Sequence, residues 1–431
     1  MHSSSPTTRM TRSGQLAVAD ALRSENTKPA YSVVWVNHFA APPNESGGTR
    51  HFEIGRELVK RNVRVCIVAS DFLLLSRSYS RRQNARDRRL IAEKIDGVTF
   101  AWVWASPYVS STIARLLNWL SFARGVVREN LDAQRPDVII GSSPHLFAAL
   151  AASRLATRLR VPFILEVRDL WPESLAAVTG RKGVGYHLFG ALARHLYKRA
   201  DHIMVLARGT ATYLEQIGIR ADRIFFVPNG VDLESFNEGH ASNHSGFTAL
   251  YAGAHGPANG LDIVLEAAAL LRARTDIRIV LVGDGPVKKA LQETAMRGDL
   301  TNVEFRSPVP KRQMPQLLSE ADAGLMVLKD APLFSFGVSP NKLFDYLGAS
   351  LPVICNVPGD VADILRESGA GEQAADSSPR ALAEAVTRMA DRTPAERALM
   401  GSAGREWVAR EHSRPVLAQR LDSVLRSAVR R

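Results

Sequence analysis

An α/β fold of two doubly wound lobes is predicted by three features of this 431-residue sequence. Short apolar, β-branched runs alternate with stretches of helical period, the pattern of parallel βαβ units. The alternation breaks once, at Pro228-Asn-Gly-Val-Asp232 and the polar run Asn237 to Gly246, and then resumes. The length is too great for one ordinary domain and suits two.

The first alternation opens with a strand at Tyr31 to Asn37. A loop, Ala41-Pro-Pro-Asn-Glu-Ser-Gly-Gly48, leads into a helix from about Thr49 to Arg61. Strands follow at Val63–Ala69, Val98–Trp104, Pro136–Gly141, Val161–Val167 and His202–Leu206. Helices at Ile113–Glu129, Leu146–Arg158 and Gly185–Arg199 separate most of them. At the break, Gly230 after Asn229 is expected at positive φ. The second alternation runs strand Thr248–Gly253, helix Gly260–Arg274, strand Arg278–Val282, helix Val287–Met296, strand Val303–Phe305, helix Arg312–Glu320 and strand Ala323–Val327. A helix at Asn341–Ala349, a buried strand at Leu351–Cys355 and terminal helices complete it. The expected organisation is a disordered tail over 1–30, a first lobe over 31–235, a second over 236–410, and a C-terminal helical segment over 411–431.

Apolar residues make up 45% and charged residues 23% of the chain, a globular composition. The Ser-, Thr- and Arg-rich start, Met1 to Ala30, lacks the apolar core of a signal peptide. No apolar run reaches the roughly 18 residues of a spanning helix. Cys66 and Cys355 both lie in apolar strand-like runs, as reduced core residues of a cytoplasmic protein would. Charge is uneven: residues 1–240 hold 32 Lys and Arg against 21 Asp and Glu, the remainder 23 against 22. An anionic partner for the first half follows, either a membrane surface or a phosphorylated acceptor. No nucleic-acid motif accompanies the charge. Six arginines crowd Arg77 to Arg89, either as a docking patch or as a solvated loop. Ile113, Leu116, Leu117 and Leu120 share one helical face, which fits either the core or the inner face of the cytoplasmic membrane.

Four segments can carry chemistry. Phe336-Gly-Val-Ser-Pro-Asn-Lys-Leu-Phe-Asp-Tyr346 is a small-residue loop entering a helix. Free N–H groups and the helix dipole make such a start an anion site. Ser339, Asn341 and Lys342 stand there, and Asp345 follows one turn on; an ordinary buried helix with an ion pair is the plainer alternative. Gly283-Asp-Gly-Pro-Val-Lys-Lys289 follows a strand and opens a helix. Gly283 and Gly285 are candidate phosphate contacts there, with Lys288 or Lys289 as neutralising charge. Gly47-Gly48 precedes the first helix, where bare backbone lets a diphosphate approach. Glu166-Val-Arg-Asp169 and His145 follow strand ends, where doubly wound folds place ligands; Arg168, Asp169 and His145 are the catalytic candidates. No Asp-x-Asp and no cluster with metal-ligand spacing occurs, so no metal is expected.

The Ser339-Pro-Asn-Lys-Leu-Phe-Asp-Tyr346 segment resembles the nucleotide-sugar signature of glycosyltransferase family 4, in the branch similar to bacterial N-acetyl-L-fucosamine transferases of surface polysaccharide assembly. Pro228-Asn-Gly-Val-Asp232 resembles that family's interdomain junction, and the resemblance covers about residues 31 to 425. It implies the GT-B arrangement, two Rossmann-like lobes facing across a cleft with the last helix crossing back onto the first. The family's paired glutamates would fall on Gly337 and Asp345, so only the second, the ribose contact, is represented. The family's diphosphate-binding Arg and Lys would fall on Ala254 and Asn259, so another cation must take over. The implied activity is retaining and metal-independent, with no cofactor beyond the nucleotide diphosphate sugar, UDP-linked by expectation. The implied acceptor is a saccharide or a polyprenyl-diphosphate-linked saccharide. An epimerase of the same fold and a non-catalytic nucleotide-sugar-binding subunit are the alternatives.

Overall fold

A computed structural model describes residues 28–43, 45, 48–73, 76–109, 111–129, 131, 136–173, 183–236, 245–331 and 337–430. The expected tail up to residue 27, Gly47, and residues 237–244 of the expected linker lie outside the described residues.

The first lobe is an eight-stranded sheet: β1 (Tyr31–Val36), β2 (Val63–Ala69), β3 (Ile91–Ile95), β4 (Val98–Trp102), β5 (Val138–Ser142), β6 (Phe163–Val167), β7 (His202–Val205) and β8 (Ile224–Phe226). Its order is β3-β4-β2-β1-β5-β6-β7-β8. All neighbours are parallel except β3 and β4. Strand β1 is buried throughout and pairs Val33 with both Val65 and Val138. A strand covered on both faces needs this unbroken apolar run. The helices are α1 (Arg50–Lys60), α2 (Thr112–Arg128), α3 (Leu146–Leu159), α4 (Val184–Arg199) and α5 (Arg208–Gln216). One face of the sheet is covered by α2, α3 and α4 through Phe122, Val126, Ala149, Ala152 and Leu196.

The second lobe is an all-parallel sheet of β9 (Phe247–Ala252), β10 (Ile277–Val282), β11 (Val303–Arg306), β12 (Ala323–Met326), β13 (Val353–Cys355) and β14 (Gly371–Gln373), ordered β11-β10-β9-β12-β13-β14. Its helices are α6 (Leu261–Leu270), α7 (Lys288–Arg297), α8 (Met314–Leu318), α9 (Asn341–Gly348), α10 (Asp360–Ser368), α11 (Pro379–Asp391) and α12 (Pro394–His412). The last helix, α13 (Arg414–Val429), leaves this lobe. Leu417, Leu421 and Leu425 pack with Phe52 and Leu58 of α1 on the other face of the first sheet. Tyr31 also donates to Asp422 at 2.6 Å. Both sheets change winding direction at their centres, between β1 and β5 and between β9 and β12. The carboxyl ends at these two switch points are where such folds take ligands.

Both lobes of the expected fold are present, with local differences. Gly230 does not adopt positive φ. A Cβ there would instead strike the His412 carbonyl, so close approach is what requires glycine. Residues expected as a helix over 312–320 form only the short α8, with Pro315 in its first turn. Cys66 and Cys355 are free and buried in β2 and β13. The Arg77–Arg89 run fits the solvated loop better than a free patch: Arg77, Arg86, Arg88 and Arg89 are exposed, and most of its guanidinium groups have partners within the protein. Arg81, Arg88 and Arg77 stack over Trp102, Trp104 and Tyr108 at 4.3, 4.4 and 4.6 Å. Arg82 is buried against Asp71 at 2.7 Å, and Arg89 pairs with Asp87 at 2.9 Å.

Candidate functional site

In the second lobe, three candidate segments converge at the carboxyl end of β9. The loop after β10 lies flat on the loop after β9. Gly253 N–H donates to Val282 O at 3.0 Å, and His255 N–H donates to Asp284 O at 2.8 Å. A Cβ on Gly285 would stand 2.9 Å from the His255 nitrogen and nearer still to its carbonyl, so this approach needs glycine. The Lys288 ammonium donates to the carbonyls of Gly283 at 2.7 Å and Arg306 at 2.9 Å. It clamps the loop and is therefore not free for a phosphate. Lys289 is exposed on the first turn of α7.

Lys342 reaches from the first turn of α9 into this junction. Its ammonium lies 3.9 Å from the centroid of the Tyr251 ring and 3.5 Å from Asn259 Oδ1. A Cβ on Gly253 would stand 3.3 Å from it. It thus occupies the loop whose own Arg and Lys positions hold Ala254 and Asn259. No carboxylate pairs with it among the described residues. Desolvation lowers its pKa to about 7. Asn341 is exposed at the start of the same helix. Ser339 faces the other lobe: its hydroxyl accepts from Asn229 N–H at 2.9 Å, and its carbonyl accepts from the Asn229 amide.

Asp345 pairs with a residue other than Lys342. It is buried and pairs with Lys311 at 2.5 Å, the ion pair of the plainer reading. Burial raises its pKa, and Lys311 offsets part of that rise. Glu53 and Arg414, themselves paired at 2.5 Å, stand close enough to perturb it from the first-lobe side. Gly337, at the first-glutamate position, has φ +85°, and a Cβ there would lie 2.7 Å from Asp360 Oδ2. No side chain fits at 337. The carboxylate at that spot is Asp360, which accepts from Arg208 N–H at 2.6 Å across the lobes.

The first-lobe switch point holds a buried polar network that sequence reasoning missed. Glu166 Oε2 accepts from Ser142 Oγ at 2.5 Å, contacts His51 Nε2 at 2.9 Å, and lies 3.3 Å from Trp35 Nε1. Arg50 lies 3.3 Å from Glu166 Oε1 and donates to Val227 O at 2.8 Å. Burial works against the Glu166 charge, yet His51 and Arg50 together hold its carboxyl well below the usual range. Burial lowers the His51 pKa to about 4 despite the adjacent Glu166. Two residues beyond Glu166, Arg168 is anchored by its N–H to Ser143 Oγ at 2.9 Å. Its guanidinium tip lies 3.9 Å from a Cβ position on Gly48, before α1. Asp169 is exposed, and no ion pair joins it to Arg168 among the described residues.

His145 is buried at the start of α3, its ring 4.9 Å from His38 and 5.0 Å from Trp119. Neither of its ring nitrogens has a hydrogen-bond partner among the described residues. Burial, then His38, pushes its pKa well down, so it is neutral. Among the described residues no cluster of His, Cys, Asp or Glu could hold a metal ion.

This arrangement can hold an anion at Lys342 and the bare loops of the second lobe, while Arg168 and Gly48 lie together at the carboxyl ends of the first-lobe strands. Comparison with known proteins gives the geometry a family. A glycosyl transferase 4-like domain matches residues 47–230, and a glycosyl transferases group 1 domain matches residues 246–392. The chain is 28% identical over 268 residues to WcaI of Escherichia coli K12, described as a colanic acid biosynthesis glycosyl transferase. That match covers 57% of this chain and 65% of WcaI. WbjE of Pseudomonas aeruginosa, described as a glycosyltransferase, is 21% identical over 60% of this chain and 67% of its own length. The chain thus spans about two thirds of the length of these relatives. Among solved structures, sucrose-phosphate synthase of Thermosynechococcus elongatus superimposes with a TM-score of 0.74 at 15% identity, over 92% of this chain and 98% of that one. Anabaena HepE, in complex with UDP-glucose, superimposes with a TM-score of 0.65 at 14% identity, over 92% and 100%. The two lobes therefore form a GT-B fold, and the chain belongs to the glycosyltransferases that join a family 4-like first domain to a group 1 second domain.

Proposed function

We propose that this protein is a retaining, metal-independent glycosyltransferase. It moves a sugar from a UDP-linked donor to a saccharide or a polyprenyl-diphosphate-linked acceptor, in bacterial surface polysaccharide assembly. The single observation that carries the reading is the unpaired ammonium of Lys342, held between two glycine loops at a helix start. A desolvated cation without a counter-ion is stabilised by an anion of the right shape, and a diphosphate is one. HepE's complexes with UDP and UDP-glucose support the nucleotide, and the description of WcaI as a colanic acid biosynthesis glycosyl transferase supports the pathway class.

In this reading the donor diphosphate lies against Lys342, Asn259, Gly283 and Gly285, with the free N–H groups of α9 at Asn341. Asp345 bonds the ribose hydroxyls. Gly48 and Arg168 close on the leaving phosphate from the first lobe. The acceptor oxygen bonds the anomeric carbon on the face from which the phosphate departs, and its proton passes to a leaving-phosphate oxygen. No protein nucleophile is needed. Lys342 and Arg168 stabilise the charge that develops on that phosphate, while Asp169 positions the acceptor hydroxyl and the buried His145 packs beneath that end of the sheet.

The test is a panel of nucleotide sugars scored for thermal stabilisation and for nucleoside diphosphate release, with EDTA present throughout. A UDP-sugar should stabilise the protein and turn over in EDTA. Stabilisation by none of the panel, or turnover only with added Mn²⁺ or Mg²⁺, would overturn the reading. Asp345→Ala should weaken UDP binding by about 1–3 kcal/mol, the worth of a hydrogen bond to a charged group. Titration calorimetry on the folded variant checks this, and unchanged affinity would remove Asp345 from the donor site.

A further inference from the structure

We propose that the first lobe docks on an anionic phospholipid bilayer through the N-terminal halves of α2 and α4. The Arg77–Arg89 run is the weaker docking candidate, because five of its six guanidinium groups are held by rings or carboxylates of the protein itself. An exposed apolar cluster with cations behind it lies elsewhere.

Helix α2 is built the wrong way round for a helix facing water. Its first three turns bury Asn118, which donates to Ser106 O at 2.6 Å, and expose Ile113, Leu116, Leu117 and Leu120. Ile113 is 73% exposed. Helix α4 repeats the pattern, with Val184 78% and Leu188 67% exposed in its first two turns. The two starts are joined by aromatic rings. Trp119 lies 6.2 Å from Trp171, which lies 6.0 Å from Phe189 of α4. Single exposed leucines are ordinary, but an apolar cluster shared by neighbouring helices marks an interaction surface.

Charge selects the occupant. Helices α2, α3 and α4 together carry eight Lys and Arg and no Asp or Glu. Arg124 and Arg128 of α2 and Arg154 of α3 line one groove of this face. A face with apolar residues at one end and only cations behind fits a bilayer of anionic lipid. A second copy of the chain would bring the same cations against it. Topology supplies the orientation. Each helix starts at the carboxyl-end edge of the sheet, where His145 and Trp119 touch. A docked lobe would therefore hold its half of the cleft at the lipid surface, within reach of a lipid-linked acceptor.

Co-sedimentation with vesicles tests this apart from any activity. Full-length protein should pellet with phosphatidylcholine–phosphatidylglycerol vesicles in 20 mM NaCl and stay in solution with pure phosphatidylcholine. Binding should fall steeply by 300 mM NaCl, as screening shortens the reach of the charges. The triple variant Ile113→Ser, Leu117→Ser, Leu188→Ser changes only exposed positions and should keep its melting temperature while losing at least tenfold in partition. Arg124→Ser with Arg154→Ser should also weaken binding, by about fivefold for each charge removed. The exposed pair Arg86→Ser, Arg89→Ser should bind like the parent. No pelleting of the parent at low salt, or undiminished binding of the triple variant, overturns the proposal. So does light scattering that shows the triple variant converting a dimer to a monomer with vesicle binding unchanged. UDP binding by the same samples separates failure here from failure of the donor-site reading.

Discussion

Lys342→Met is expected to lower kcat/KM for the sugar donor by about 10²–10³, the cost of removing one preorganised charge from a leaving group. The same change should leave the melting temperature unchanged or higher, because a desolvated ammonium is removed and an apolar chain of similar length remains. Loss of turnover without loss of fold is what distinguishes a ligand-binding cation from a structural one. A pH dependence accompanies it. The Lys342 pKa is lowered to about 7 by burial, and a bound diphosphate must raise it again. Above pH 7 the amine must take up a proton on binding, so donor affinity should fall as pH rises from 7 towards 9. A UDP-sugar is the right probe, because its diphosphate diester does not titrate in that window. Titration calorimetry from pH 6.5 to 9 reads the slope, and Lys342→Met should flatten it. A parent whose donor affinity is constant over that range would remove Lys342 from the diphosphate.

Glu166→Gln is expected to destabilise the first lobe by about 3–5 kcal/mol, because it leaves Arg50 buried without its counter-charge. For a lobe of this size that lowers the melting temperature by about 6–20 °C. Calorimetry at pH 7.5 checks it. The sign with pH follows from both partners. Glu166 titrates lower in the folded chain than in the unfolded one, so its contribution is present above the unfolded carboxyl value and lost as pH falls through the folded one. His51, at about 4 when folded, gains its proton first in the unfolded chain. Stability therefore also declines as pH drops from about 6.5 towards 4. A melting temperature within 2 °C of the parent, against the roughly 6 °C or more that 3 kcal/mol implies, would show that Arg50 finds another partner.

The lobes were legible because burial on both faces forces long apolar strands, and these read directly from composition. Elements without that burial were not. Ile91–Ile95 is half-exposed, pairs only with β4, and carries two charged residues, Glu93 and Lys94, at its centre. Gly371–Gln373 has three residues and one neighbouring strand. Helix α5, Arg-Gly-Thr-Ala-Thr-Tyr-Leu-Glu-Gln, has a glycine and two β-branched residues among its nine. At the site, segments next to strand ends were visible as segments, but the direction of each side chain was not. Lys288 and Lys342 look equally free in the sequence, yet one grips two carbonyls and the other has no counter-ion. The Glu166 network joins residues over 100 positions apart, so no local spacing announces it. The arginine run misled for the same reason, since its aromatic partners Trp102, Trp104 and Tyr108 lie on a different segment.

The return of α13 to the first lobe has a mechanical meaning. The chain crosses between the lobes twice, once near Val231 and once at His412–Ser413, and the two crossings are tied together. Val231 N–H donates to His412 O at 3.1 Å, and Arg414 N–H donates to Val231 O at 3.2 Å. The contact of Gly230 with the His412 carbonyl leaves no slack between them. A single crossing peptide would let one lobe swivel and twist against the other. Two crossings bonded side by side act like a door with both hinges on one edge, allowing rotation about their common line and resisting sliding and torsion. Opening to release a spent nucleotide and closing on a new one would then retrace the same arc. Lys342 and Arg168, borne on opposite leaves, would return to the same register after each cycle.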